Sequence, residues 1–388
     1  MTSSAPFPWP FRAAENRRLL ALAIAWLIAI HLWAAFSIHV LPLAQPSPWG
    51  PGMNPYFAKY DSGWYQSITR DGYGPPPAPR KESSHAFFPL YPMLARGLML
   101  LTGLPALWAL TAISWAAFLF ALPLFGEECR VRLGPERARG PLPFLLLYPM
   151  AFFFAAAYTE SLFLLLLLLA FRFVRTDHPL GAICVGVLLG LTRAPAVAVG
   201  PALALAYGLG EHGLGQHPRK RLLASCALAV APLAGALTYV LGIGWWKGEQ
   251  GLFFRAMGAW AHRSTNPLHG AADFFHEQVT LFSSGGLFQH PGAIAPLAHF
   301  TLFAALAVIQ LKRRRFSDAA WTAGVLGLAF LTGTTNGVPR YTLTIFPGII
   351  LLFELFERRP VLRVAALAAS TALLLIRSAF FVNWHFVS

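Results

Sequence analysis

Six consecutive residues, Tyr60-Asp61-Ser62-Gly63-Trp64-Tyr65, set one carboxylate among aromatic rings between two long apolar blocks. Asp71-Gly72-Tyr73, a proline-rich turn and Ala86-Phe87-Phe88-Pro89-Leu90-Tyr91-Pro92 follow in the same connection. A loop that only joined two membrane helices would need neither the lone acids nor the aromatic-proline re-entry. Further along, single ionisable residues interrupt apolar stretches at His85, Glu160, Arg193, Arg263 and Arg340. Burying such a group in a bilayer is expensive, so an isolated one is a functional candidate by default. A carboxylate beside aromatics can serve as general base toward a hydroxyl, and arginines match phosphate oxygens with a fork of donors. Together they point to transfer from a phosphate-activated, membrane-held donor to a hydroxyl acceptor.

Each residue also has a plainer reading. Asp61 can cap a helix starting at Ser62, and Asp71-Gly72 is an ordinary turn. Glu160 stands where a first-turn acid favours a helix N-terminus. His85 and Arg340 can be interfacial residues, and most of the aromatics can belong to interface belts and packing. Arg193, before Ala194-Pro195 in an apolar stretch, is harder to dismiss, because it needs a partner.

The elements that must position these residues are membrane helices. The chain of 388 residues is 56% hydrophobic and 12% charged, with a mean hydropathy of +0.55. A soluble domain carries about 25% charged residues, so the composition is that of an all-α polytopic membrane protein. The net charge of +14 reads as basic cytoplasmic loops and not as nucleic-acid binding. No linker or low-complexity stretch divides the chain, so a single membrane domain over 1–388 is expected. Its first apolar segment is too long for a signal peptide and lacks a small-residue cleavage site. The cysteines, Cys129, Cys184 and Cys226, lack metal-ligand spacing.

Clustered arginines set the orientation. Arg12, Arg17 and Arg18 place the N-terminus inside, and a first outer block over 41–102 then holds Asp61. Ala86 to Thr102 reads as an interfacial helix, Ala106 to Phe125 as a crossing, and Arg130, Arg132, Arg137 and Arg139 as an inner loop. Pro141 to Ala157 reads as an outward segment and Tyr158-Thr159-Glu160-Ser161 as an outer corner. The stretch from Leu180 to Leu209 is broken at Arg193, and irregular backbone at such depth survives only where protein buries it or it lines a wet cavity. A second outer loop is expected over 246–292. About eleven crossing or deeply embedded helices result.

No nucleotide-binding loop, zinc motif or nucleophile elbow occurs, which favours a lipid-borne donor. The motifs resemble the PIG-V-like family of glycosyltransferases, the family of the second GPI mannosyltransferase and its prokaryotic relatives within the GT-C class. The resemblance is carried by Tyr60-Asp61-Ser62-Gly63-Trp64-Tyr65 with Ile68 and Gly72-Tyr73, by Ala86 to Pro92, by Tyr158-Thr159-Glu160-Ser161-Leu162-Phe163, and by Pro339-Arg340-Tyr341 with Phe346-Pro347. Trp260, Arg263, Asn266 and Pro267 add a weaker fifth stretch. Tyr60 departs from the pattern, which usually has Trp there, but it keeps an aromatic.

That resemblance implies a GT-C fold, a polyprenyl-phosphate donor carrying most often mannose, and inversion at the anomeric carbon. It makes Asp61 the base and Glu160 a supporting carboxylate. Arg340, Arg263, Arg193 and Tyr341 would face the donor phosphate. Trp64, Tyr65, Asp71, His85, Tyr91, Tyr158 and Trp260 would line the substrate pocket. No cofactor or metal is expected, and the acceptor would be a glycolipid or another lipid-linked hydroxyl. Arginine far outnumbers lysine among the 30 basic residues, which fits a prokaryotic plasma membrane with the site on its outer face. The rivals are a flippase for lipid-linked sugars, a structural subunit of a membrane complex, and the same fold with another sugar or a protein acceptor.

Overall fold

The computed structural model describes residues 14–44, 55–78, 81–210, 218–259, 291–332 and 337–385, with residue 387 and a few positions between 270 and 279. Its helices, in chain order, begin with α1 (Ala14–Val40), α2 (Ser62–Asp71), α3 (Leu90–Thr102), α4 (Ala106–Leu133) and α5 (Pro141–Leu146). They continue with α6 (Glu160–Arg175), α7 (Pro179–Gly190), α8 (Val199–Gly208), α9 (Pro218–Trp246) and α10 (Leu252–Ala259). The last five are α11 (Pro291–Lys312), α12 (Phe316–Thr332), α13 (Val338–Thr342), α14 (Phe346–Phe356) and α15 (Pro360–Val382). No strand occurs among the described residues. The chain is an all-helical integral membrane protein: α1, α4, α9, α11 and α15 are each long and apolar enough to cross a bilayer.

Burial separates lipid-facing from central helices. On α1, Ile28, Leu32 and Phe36 are exposed, as are Val361, Val364 and Leu373 on α15. Apolar side chains stay outside in this way where the surroundings are themselves apolar. At the centre, α6 is apolar over most of its surface and twelve of its sixteen residues are buried, as in a helix enclosed by protein. It packs on α4, α7 and α8. The expected break at Arg193 is there: α7 ends at Gly190, and a 3₁₀ turn over Ala194–Ala198 leads into α8. Both halves lie along α9. A Cβ on Gly190 would overlap the carbonyl of Pro232, and one on Gly235 that of Val187. The close approach of α7 to α9 therefore requires these glycines.

The structure corrects the expected topology in two places. Helix α4 runs past Phe125 to Leu133, so Arg130 and Arg132 sit in its last turn and not in a loop. Pro141 to Ala157 is not a crossing helix. Only α5 is α-helical there; the rest is turns and a 3₁₀ segment, Ala151–Phe154, and all of it is largely buried. Pro143 and Pro149 lack the N–H that an uninterrupted helix needs. The corner expected at Tyr158-Thr159-Glu160-Ser161 is buried, with Glu160 fully enclosed.

Acids that the sequence reading passed over bind the basic end together. Arg132 pairs with Glu128 at 2.7 Å and with Asp318 of α12 at 2.6 Å. Arg175 reaches Glu127 at 2.7 Å and also Glu128, and Arg172 meets Glu127. Arg315 pairs with Glu354 at 2.6 Å. These pairs lock α4, α6, α12 and α14 to one another at one end of the bundle.

Candidate active site

Asp61 sits where the chain coils into α2. Tyr60 adopts φ 49°, in the left-handed region, and thereby turns the backbone sharply just before Asp61. The backbone amides of Trp64 and Tyr65 bond to the Asp61 carbonyl at 3.0 and 3.2 Å, while the Asp61 side chain makes no capping bond. The capping role open to it in the sequence is not taken, and the carboxylate is left for other partners. The inner face of α2 repeats Ser62, Tyr65, Ile68 and Thr69, one helical stripe turned to the core.

Four hydrogen bonds tie this loop to the buried corner before α6. The Tyr158 hydroxyl donates to the Lys59 carbonyl at 3.1 Å and accepts the Asp61 amide at 3.2 Å. Ser62 Oγ donates to the Ala157 carbonyl at 3.2 Å, and the Ala157 amide to Phe57 at 3.3 Å. The corner is braced in turn: Ser114 Oγ donates to the Tyr158 carbonyl at 3.0 Å, and the Tyr91 hydroxyl donates to the Leu110 carbonyl and also meets Ser114 Oγ, each at 2.8 Å.

From Asp61 a line of alternating charges runs inward. Arg340 of α13 donates from Nη1 to Asp61 Oδ2 at 3.0 Å. Its Nε lies 3.1 Å from Glu160 Oε1, an ion pair not aligned as a hydrogen bond. Arg193 donates from Nη1 to the same Glu160 oxygen at 2.7 Å. Glu160 is fully buried at the first turn of α6, where the helix dipole also favours a carboxylate, and its Oε2 is buried without a hydrogen-bond partner. The side chains of Arg340 and Asp61 remain about a quarter accessible, 25% and 28%. The line therefore has a closed end at Arg193–Glu160 and an open end at Asp61. Aromatic rings wall it. Arg340 Cζ stands 5.3 Å from the Tyr158 ring and 5.6 Å from Phe153, and Arg193 Cζ 5.1 Å from Tyr341. Burial, followed by the nearby Asp61 and Glu160, holds the Tyr65 phenol above its usual range, so it stays protonated.

The structure thus brings Asp61, Glu160, Arg193, Arg340, Tyr158, Tyr341 and Tyr65 together. Trp64 stacks on Phe87 at 6.1 Å, and Tyr65 meets Phe87, Tyr91 and Tyr158 edge-on. Tyr91 is fully buried with its hydroxyl committed to Leu110 and Ser114, so it supports the wall from behind. Two candidates lie elsewhere. Asp71 ends α2 about 15 Å along its axis from Asp61, exposed and paired with Arg70 at 2.8 Å. There it borders a separate cavity of about 530 Å³ with Arg96, Leu191, Tyr239 and Trp246. His85 packs against Tyr73 at 5.8 Å, its carbonyl taking the Tyr239 hydroxyl at 3.0 Å; burial lowers its pKa, which favours the neutral imidazole. Trp260 and Arg263 lie outside the described residues. The bracing serine Ser114 is not among the residues singled out in the sequence, since nothing local distinguishes it from an ordinary polar residue in the apolar helix α4.

No protein-family model and no curated protein matches the chain. Among solved structures it is similar to the Archaeoglobus fulgidus oligosaccharyltransferase tethered with an acceptor peptide containing the NVT sequon via a disulfide bond. The two are 12% identical, with a TM-score of 0.41 over 94% of this chain and 55% of that one. The chain thus spans about half the length of that protein. The likeness is too loose to carry an argument, and the chemistry has to come from the residues themselves.

Proposed function

We propose that the chain is a membrane glycosyltransferase of the GT-C class with a PIG-V-like site. It moves a sugar, most simply mannose, from a polyprenyl-phosphate donor to a hydroxyl of a glycolipid or other lipid-linked acceptor, on the outer face of a prokaryotic plasma membrane. One observation supports this above the others: Asp61 and Arg340 form the accessible end of a line of charges whose other members, Glu160 and Arg193, are fixed by burial and by one another. A purely structural network would close on itself. This one ends in a carboxylate free of capping duty and in a guanidinium that an oxygen anion can reach.

Arg340 and Asp61 satisfy each other in the structure. A donor phosphate that takes the outer face of the Arg340 guanidinium releases Asp61. The freed carboxylate accepts the proton of the acceptor hydroxyl, that oxygen bonds to C1 of the sugar from the far side, and the C1–O bond to phosphate breaks. The electron pair leaves with the lipid phosphate, held by Arg340, and the anomeric configuration inverts. Glu160 and Arg193 do no bond-making. They hold Arg340 in orientation, which is where preorganised charge acts on a transition state. Phosphate is already a good leaving group at neutral pH, so the scheme asks for no metal or cofactor. Arg263 and Trp260 remain candidates for further donor contacts.

The test is transfer of label from radiolabelled polyprenyl-phosphate-mannose into a membrane lipid extract, with wild type and Asp61→Asn compared. Label with wild type alone supports donor, reaction and base together. Equal label from both removes Asp61 from the mechanism, and a flippase would move the donor without forming any new glycoside.

A further inference from the structure

Basic residues gather at the membrane surface of any chain that crosses a bilayer, so a cluster of them means little until their partners are known. At the basic end of the bundle most are committed. Arg132, Arg172 and Arg175 pair with Glu127, Glu128 and Asp318. Arg137 donates to both oxygens of Glu357 at 2.6 and 2.8 Å, and Arg313 and Arg315 share Glu354. Three arginines differ. Arg358, Arg359 and Arg363 form no ion pair with an acid among the described residues.

The same three line two adjoining cavities, of about 600 and 430 Å³. Arg137, Glu357 and Arg358 border both, Arg363 borders the larger, and Arg359 the smaller. Five arginines and three glutamates line the pair, an excess of two positive charges.

Their place in the fold says which anion can reach them. Helix α15 starts at Pro360, directly after Arg358-Arg359, and ends at Val382, just before Trp384, whose ring meets Tyr60 at 5.3 Å. Its 23 residues span about 34 Å, enough to cross a bilayer core, so the cavities lie at the membrane surface opposite Asp61. At the start of the same helix Val361, Leu362 and Val364 are exposed, a lipid-facing strip beside the arginines. Arginine-lined cavities next to such a strip suit a lipid with a phosphate head and apolar chains; a soluble anion would leave the strip unused. Two cavities with a shared wall and two surplus charges suit two phosphates on one molecule, each met by forked guanidinium donors.

We propose that this pair of cavities binds a phospholipid carrying two phosphodiesters in one headgroup, of the diphosphatidylglycerol kind. One phosphate sits at Arg363, the other at Arg359, and Arg358 stands between them. The site is independent of the transferase reading and holds whatever reaction the far surface performs. By mass action the bound lipid stabilises the fold, joining α14 to α15 across their turn.

The experiment takes the full chain, delipidated in detergent, and titrates it by native mass spectrometry with diphosphatidylglycerol, phosphatidylglycerol and phosphatidylcholine of matched acyl chains. Diphosphatidylglycerol should bind about 10- to 100-fold more tightly than phosphatidylglycerol, the range for one further charge-assisted contact. Arg358→Gln should weaken it by a similar factor, and Arg363→Gln should bring it near the phosphatidylglycerol value. Arg70→Gln, an exposed arginine at the opposite surface, should change nothing. Because none of the three arginines holds an acid, the variants should unfold like wild type without lipid, while diphosphatidylglycerol raises the midpoint of wild type alone. A wild-type arm needs no variant: excess soluble glycerophosphate should not displace the lipid. Equal binding of the two anionic lipids, indifference to Arg358→Gln and Arg363→Gln, an equal loss in Arg70→Gln, or displacement by glycerophosphate overturns the proposal.

Discussion

Glu160 is the residue whose removal best separates a functional line of charge from a decorative one. Its Oε1 is shared by Arg193 at 2.7 Å and Arg340 at 3.1 Å, and its side chain is fully buried. Glu160→Gln keeps the shape and removes the charge. Arg340 would retain Asp61, but Arg193, 8% accessible, would be left as an uncompensated buried cation. Removing one partner of a buried pair costs about 3–5 kcal/mol, whereas removing both is often close to neutral. The single variant should therefore lose about 3–5 kcal/mol and unfold several degrees earlier in detergent. Adding Arg193→Gln should restore most of the loss, because the remaining Asp61–Arg340 pair is balanced. Transfer activity should not return in the double variant, since Arg340 has lost the group that orients it. Thermal unfolding of the wild type, both single variants and the double, alongside the transfer assay, reads all of this at once. If Glu160→Gln is as stable as wild type, or if the two single losses simply add in the double, the line is not the coupled unit described and the reasoning fails.

Other outcomes follow from the same geometry. Asp61→Asn should cost at most about 1 kcal/mol of stability, the scale of a partly accessible pair, yet reduce transfer about 10²- to 10⁴-fold as a lost general base does; a large stability loss with activity kept would mark Asp61 as structural. Tyr158→Phe deletes the hydroxyl that joins Lys59 and Asp61 and should lower transfer while costing about 1–3 kcal/mol in unfolding experiments. Asp71→Asn, at an exposed pair on the far end of α2, should leave transfer within about two-fold of wild type, the insensitivity expected away from a site. Burial lowers the Lys59 amine from 10.5 to about 8 in the fold. Between those values the unfolded chain binds more protons, so stability should rise with pH from about 8 to 10.5 and be lowest below 8; Lys59→Met should remove that rise in unfolding midpoints measured across the window.

Much of the site was legible because of where it lies. A charge in an apolar stretch is expensive wherever the fold finally puts it, so Asp61, Glu160, Arg193 and Arg340 stand out one by one in the sequence. Which of them meet does not, since the bonds link positions 61, 160, 193 and 340 through four separate elements. The helices were legible by the same logic, and misread where prolines and acids interrupt it. Pro141 to Ala157 has the apolar content of a crossing but too few backbone donors to be one, and the arginines at the basic end look like loop charges until Glu127, Glu128 and Asp318 are brought against them. Lys59 was invisible for the opposite reason. A lysine in a polar loop is ordinary, and what sets it apart is what surrounds it: a Trp from the other end of the chain, a left-handed neighbour and, among the described residues, no acid paired with its amine. Residues that carry their chemistry in their type can be found from the sequence. Residues that acquire it by being left without a partner appear only when the chain has folded around them.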